Sequence, residues 1–144
     1  MHELKGGCHC GNLRVTYRTA IAPADAIVRA CQCSFCRKHA TRAVSDPKGS
    51  LAITVMDEAL LGRYQFALNA ADFLICRACG VYVAAFMPDG GEGGFATLMV
   101  NVLDDHARYT QAPTAVEYGD EDERGRRQRR REKWTPATLK IAAR

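Results

Sequence analysis

The sequence predicts a mainly β, antiparallel domain with little helix and one short helix near the C-terminus. Two observations carry this prediction. Short runs of alternating apolar and polar residues recur along the chain with turn signals between them. Seven cysteines also fall into three tight clusters, Cys8-His9-Cys10, Cys31-Gln32-Cys33-Ser34-Phe35-Cys36 and Cys76-Arg77-Ala78-Cys79-Gly80. Clusters of that kind tie small β scaffolds together through metal. At 144 residues the chain is long enough for one domain with a modest core. Residues 1–118 are assigned to the β domain and residues 119–144 to a charged tail that contains the helix.

Leu13, Val15 and Tyr17 alternate with Arg14, Thr16 and Arg18 directly after the first cysteine pair, the pattern of a half-buried strand. Residues 26–30 run as a strand into Cys31. An Asp46-Pro47-Lys48-Gly49 turn leads to a strand at 51–55. Residues 64–68 alternate, and an Asn69-Ala70-Ala71-Asp72 turn precedes a strand at 73–75 that ends on Cys76. Residues 81–86 form the return strand, 88–94 a glycine-rich loop and 95–103 the last long strand. One helical turn is placed at 34–38, residues 56–61 read as helix or loop, and 120–133 as the C-terminal helix. The glycine loop lacks a following helix and a Gly-Lys-Ser/Thr element, so it reads as a surface connection and not as a phosphate cradle.

Thiolates two or three residues apart can grip one soft metal ion from a single loop, and zinc is the usual occupant. Four thiolates close a tetrahedral, structural site; three leave a position open, which is the catalytic arrangement. A Cys-x-Cys clamp and a Cys-x-x-Cys knuckle supply two ligands each, so Cys8, Cys10, Cys76 and Cys79 complete one tetrahedron. Cys31, Cys33 and Cys36 then remain as a three-thiolate face, the place for any chemistry. Spacing alone leaves another pairing open, in which Cys31 and Cys33 close the four-thiolate site and Cys8 and Cys10 are stranded. A disulfide framework would leave an odd thiol, and the pairs are too close in sequence to staple much. A redox pair at Cys76 and Cys79 would open a helix. Here Gly80 and Val81-Tyr82-Val83 follow, a turn into strand formers.

The net charge of +4 is local. Residues 124–133 hold seven basic residues and one acid; without them the chain's 20 basic and 16 acidic residues fall to 13 and 15, a net of −2. Asp120, Asp122 and Glu123 each precede an arginine by four residues (Arg124, Arg126 and Arg127). Such helical pairs are worth about 0.2–0.5 kcal/mol apiece, so the stretch reads as a solvated, salt-bridged helix, with a phosphate- or partner-binding tail as the alternative. No aromatic residues interleave the arginines, which argues against a stacking platform for single-stranded nucleic acid. No apolar stretch is long enough to cross a bilayer. Residues 1–8 lack a signal-peptide core, and a cytoplasmic location with reduced thiols is expected. His9 lies between two ligands and is expected to point away from the metal; His39, three residues after the three-thiolate face, is either a fourth ligand or proton carrier there or an exposed loop histidine; His2, His106 and Ser45 carry no signal.

The three cysteine motifs, with Gly7 and Gly11 flanking the first and Arg37-Lys38 following the second, resemble those of the glutathione-dependent formaldehyde-activating enzyme family, over roughly residues 5–104. The resemblance implies a β, tent-like fold with two zinc ions per chain. Cys8, Cys10, Cys76 and Cys79 would hold structural zinc, and Cys31, Cys33 and Cys36 a second, exchangeable and catalytic zinc. The implied activity is that of a carbon–sulfur lyase, written forwards as condensation of glutathione, or another small thiol, with formaldehyde or another small aldehyde. Arg37 and Lys38 are candidate substrate-binding residues. Where the family pattern has a small glycine-containing stretch, His39-Ala40-Thr41-Arg42-Ala43 stands instead. A non-catalytic zinc module that binds a protein or nucleic acid through its basic tail is the reading from another class.

Overall fold

The computed structural model describes residues 1–66 and 71–142. The predicted turn at 69–72 and the end of the predicted strand at 64–68 fall largely outside them. Eleven strands form one sheet: β1 (His2–Gly7), β2 (Leu13–Thr19), β3 (Arg29–Cys31), β4 (Ala43–Val44), β5 (Ser50–Val55), β6 (Leu61–Tyr64), β7 (Asp72–Cys76), β8 (Tyr82–Pro88), β9 (Gly93–Met99), β10 (Thr114–Val116) and β11 (Thr135–Ile141). Helices α1 (Ser34–His39) and α2 (Glu123–Lys133) complete the architecture, with short 3₁₀ turns between strands. The mainly β class with one C-terminal helix is as the sequence predicts.

Strand β9 is where the sheet forks. One of its edges pairs with β8, from which β7 and β6 continue as a meander. Its other edge is shared: residues 93–96 pair with β11, and Leu98 and Met99 pair with β4. The β11 branch runs on through β5 and β2 to β1, and the β4 branch through β3 to β10. All pairings are antiparallel except β5 with β11 and β3 with β10.

Burial follows from this layout. In β2 the residues Leu13, Val15 and Tyr17 are buried while Arg14 and Arg18 face solvent, and β5 and β11 alternate likewise, as sheets with one wet face do. Near the fork both faces are covered. Tyr82 to Met87 in β8 and Ala96 to Met99 in β9 are all buried. Gly6 lets β1 cross the chain near Leu103: an added Cβ there would meet the Val102 carbonyl oxygen at 2.0 Å.

The sequence reading differs from the structure at several elements. Residues 119–144, set apart there as a tail, return to the sheet as β11, between β5 and β9. Thr135, Ala137 and Leu139 point inward with the period of two, and Thr135 is fixed at its start, where its hydroxyl accepts the Asp46 N–H at 2.8 Å. Pro136 has no N–H to donate and sits near the strand's beginning, where it does least harm. The strand expected at 26–30 shortens to β3, because Pro23–Asp25 forms a 3₁₀ turn. The strand expected to reach residue 103 ends at Met99, where another such turn begins. β1 was not foreseen, since Leu4 is its one fully buried side chain.

Candidate functional site

Two knuckles of the same design face each other at the first thiolate cluster. After Cys10, Gly11 takes φ +84°, and after Cys79, Gly80 takes φ +80°, left-handed conformations that glycine adopts freely. In each knuckle the glycine N–H donates back to the carbonyl of the first cysteine, Gly11 to Cys8 at 3.2 Å and Gly80 to Cys76 at 2.8 Å. The Leu13 N–H donates to Cys8 Sγ at 3.2 Å. A tetrahedron with metal–sulfur bonds of about 2.3 Å has sulfur–sulfur edges of about 3.8 Å. Cys8 Sγ lies 3.7 Å from Cys10 Sγ, Cys10 Sγ 3.5 Å from Cys76 Sγ, and all four sulfurs fall within 4.8 Å of one another. The donor set and its size fit zinc.

Cys31, Cys33 and Cys36 also come within 4.8 Å of one another. Cys31 ends β3, Cys33 caps α1 by accepting the Cys36 N–H at 3.4 Å, and Cys36 is buried on the helix. Its hydrogen bond with Cys36 draws the Cys31 thiol down to about 5, whereas Cys36, bonded to Cys31 and buried, is pushed far above the ordinary thiol range. Among the described residues these two cysteine groups are the ones placed to hold a metal ion. No histidine joins either group. His39 is exposed and packs its ring 4.5 Å from that of Phe35.

The two clusters differ in what lies beside them. The second opens on a cavity of about 130 Å³, with Phe66, Phe73 and Tyr82 among its aromatic lining and Arg29, Arg126, Arg129 and Arg130 as its cationic lining. The Tyr82 phenol is held well above its ordinary pKa, first by burial and then by the charges of Cys36, Cys33 and Cys31, so it stays protonated. Arg37 and Lys38 lie exposed on α1, and the cavity is lined by other residues.

Sequence reasoning missed the inward turn of α2. Its solvated side is as expected, with Glu123 and Arg127 paired at 3.1 Å. Asp122, however, caps the helix by accepting the Gly125 N–H at 2.7 Å, and Arg126 turns to Glu121 at 3.8 Å instead. Arg129 pairs with Glu121 at 2.8 Å and lies 3.6 Å over the Tyr118 ring. Arg130 is buried, 4.5 Å over the Trp134 ring. Spacing of three and four residues does place Arg126, Arg129 and Arg130 on one helical face, but arginines on the outer face as well hide that signal. Ser45 bridges the parts: Arg29 donates to its hydroxyl, which donates to the Lys133 carbonyl at 2.9 Å.

Comparison with known proteins agrees with this architecture. A family model described as glutathione-dependent formaldehyde-activating enzyme matches residues 3–121. A crystal structure of a Rhodobacter sphaeroides protein is similar with a TM-score of 0.56 at 25% identity, over 78% of this chain and 99% of that one. Among the described residues, no helix is long and apolar enough to cross a membrane.

Proposed function

The chain belongs to the glutathione-dependent formaldehyde-activating enzyme family, and from that premise we propose that it is a zinc-dependent carbon–sulfur lyase. Its reaction would form or break the adduct of glutathione, or a related thiol, with formaldehyde or another small aldehyde. The observation that carries the reading is the convergence of three thiolates on a cavity, while the four-thiolate cluster lies away from it. Cys8, Cys10, Cys76 and Cys79 would hold one zinc for structure, and Cys31, Cys33 and Cys36 a second for chemistry. That second zinc, with a free position, would supply the Lewis acidity that keeps an incoming thiol deprotonated at neutral pH.

The protein's own groups would do the rest. The thiolate sulfur attacks the aldehyde carbon, a C–S bond forms, and the carbonyl π pair moves to oxygen. That oxygen needs a proton, and the protonated Tyr82 hydroxyl lining the cavity is the donor we assign, recharged from water. The reverse sequence breaks the C–S bond. Phe66 and Phe73 give the aldehyde an apolar wall that limits competing hydration. Seven reduced thiols at work suit a reducing compartment such as the cytoplasm.

The test is a glutathione titration of zinc-loaded protein with a chromogenic zinc indicator. Release or exchange of about one metal per chain is expected, since one site has a free position. Oxidised glutathione, lacking a thiol, should do far less. Formaldehyde added next should exchange with its glutathione adduct faster than without protein, as read by NMR. Unchanged metal and an unchanged exchange rate would overturn the reading.

A further inference from the structure

Among the described residues, five buried side-chain atoms lack a hydrogen-bond partner, and all but Gln111 Oε1, which belongs to a residue outside the cavity lining, gather in one place. Thr41 Oγ1, Arg126 Nε, and Arg130 Nε and Nη1 all belong to residues lining the cavity beside Cys31, Cys33 and Cys36. Arg130 is 8% exposed and Thr41 6%. Leaving such groups unsatisfied is costly, most of all for a cation, so their clustering marks the place of a polar ligand.

The arginines are not equivalent. Arg129 is engaged by Glu121 and Tyr118, Arg126 has Glu121 and donates to the Tyr118 carbonyl at 3.3 Å, and Arg29 donates to Ser45. Arg130 has no ion pair among the described residues; the Trp134 ring orients it, and its neighbours Arg126 and Arg129 add like charge. Burial first and those two arginines second lower its pKa to about 10, which leaves it protonated at neutral pH.

We propose that this cavity recognises the anionic group of a compact thiol, a carboxylate or similar small oxyanion, with Arg130 as its fork and Thr41 and Arg126 beside it. The thiol end would then face Cys31, Cys33 and Cys36; that orientation rests on the lyase reading above, the anion site does not. Size sets the ligand class. The cavity measures about 130 Å³. It falls short of the roughly 300 Å³ at which pockets enclose drug-sized molecules. A short mercapto acid fits within it, whereas glutathione can insert one carboxylate-bearing arm and must leave the rest outside. The fork comes from α2, which begins after the last residue of the family match, so anion selectivity would rest on a segment outside that match.

The single tryptophan of the chain, Trp134, lies against Arg130 and reports occupancy directly. Zinc-loaded full-length protein is titrated with 3-mercaptopropionate, 2-mercaptoethanol, cysteamine and propionate while its fluorescence is followed. The mercapto acid should bind about tenfold or more tightly than the neutral thiol, cysteamine weakest, and propionate alone should compete with the mercapto acid. Arg130→Met should bring the two thiols to within about twofold by weakening only the anionic one, with Tm unchanged or raised because an unpaired buried cation is gone. Equal binding of anionic and neutral thiols by the wild type overturns the proposal, as does a preference that survives Arg130→Met. If Arg130 only balances the thiolates, the variant loses zinc and both thiols weaken alike, which also overturns it. Should Arg130→Met not fold, competition by propionate in the wild type decides alone. Zinc exchange with glutathione but no anion preference would defeat this site and leave the lyase standing. Anion preference with no thiol acting on the metal would do the reverse.

Discussion

The two thiolate clusters use the same ligand and are built for opposite ends. The first draws Cys8 and Cys10 to Cys76, 66 residues on from Cys10, through two glycine-closed knuckles that leave its backbone groups paired. The second takes all three ligands from residues 31–36, so it joins nothing distant, and it borders a cavity with unsatisfied polar atoms. Closing a long stretch of chain with satisfied groups serves stability. On the proposed reading, a short-range cluster beside unpaired donors, with a position left free on its metal, would serve a ligand. The difference lies in sequence separation and in what is left unpaired, not in cysteine chemistry.

The largest effect expected is from the first cluster. Structural zinc contributes about 10–16 kcal/mol of apparent binding free energy in small domains, so Cys79→Ser, or a strong chelator, should abolish the cooperative thermal melt seen by circular dichroism. A melt that survives both would erase the contrast between the sites. Deleting residues 119–144 removes β11 from between β5 and β9 and should yield aggregated or unfolded protein on size-exclusion chromatography. A soluble, zinc-binding remnant would show that the β11 branch is dispensable.

Cys33→Ser sharpens the comparison from the other side. Serine keeps an N-cap acceptor for the Cys36 N–H, so Tm should fall by only a few degrees, corresponding to about 1 kcal/mol, while one zinc and the adduct exchange are lost. Equal destabilisation by Cys33→Ser and Cys79→Ser would make both metals structural. The smallest effect belongs to Glu123→Gln on the outer face of α2, where the exposed pair with Arg127 is worth about 0.2–1 kcal/mol. Exchange rates should not change; a clear loss would mean that the outer face of the helix also serves the ligand.

The parts of this protein legible in its sequence were those with a local signature. Ligand spacing gave the cysteine clusters, and period-two alternation gave β2 and β5, because both depend on residues a few positions apart. What stayed hidden depends on distant partners. β1 buries one leucine fully and owes its place to β2. β11 follows a run of arginines and carries Pro136, so its inward Thr135, Ala137 and Leu139 are easily passed over. For α2 the composition pointed to solvent, yet the cavity draws in one face of it; the structure buries Trp134 immediately after the helix, where the segment docks. The cavity has no local signature, since its lining spans residues 29–134.

The position of β11 also sets an order in time. It leaves the ribosome after both of its neighbours, β5 and β9, and fills the gap between them in the interior of the sheet. Until residues 135–141 emerge, β5 and the first half of β9 each present an open row of backbone donors and acceptors. The ligands of the first cluster are complete by Cys79, so that clip can close while the gap is still open. α2 precedes β11 directly and is anchored through the Ser45–Lys133 contact, so the arginines that α2 brings to the cavity arrive after the first cluster is complete. A nascent chain stalled before residue 135 would thus be a body clipped at its first thiolate cluster, with two exposed edges and without the docked α2, a species prone to pair with its own kind.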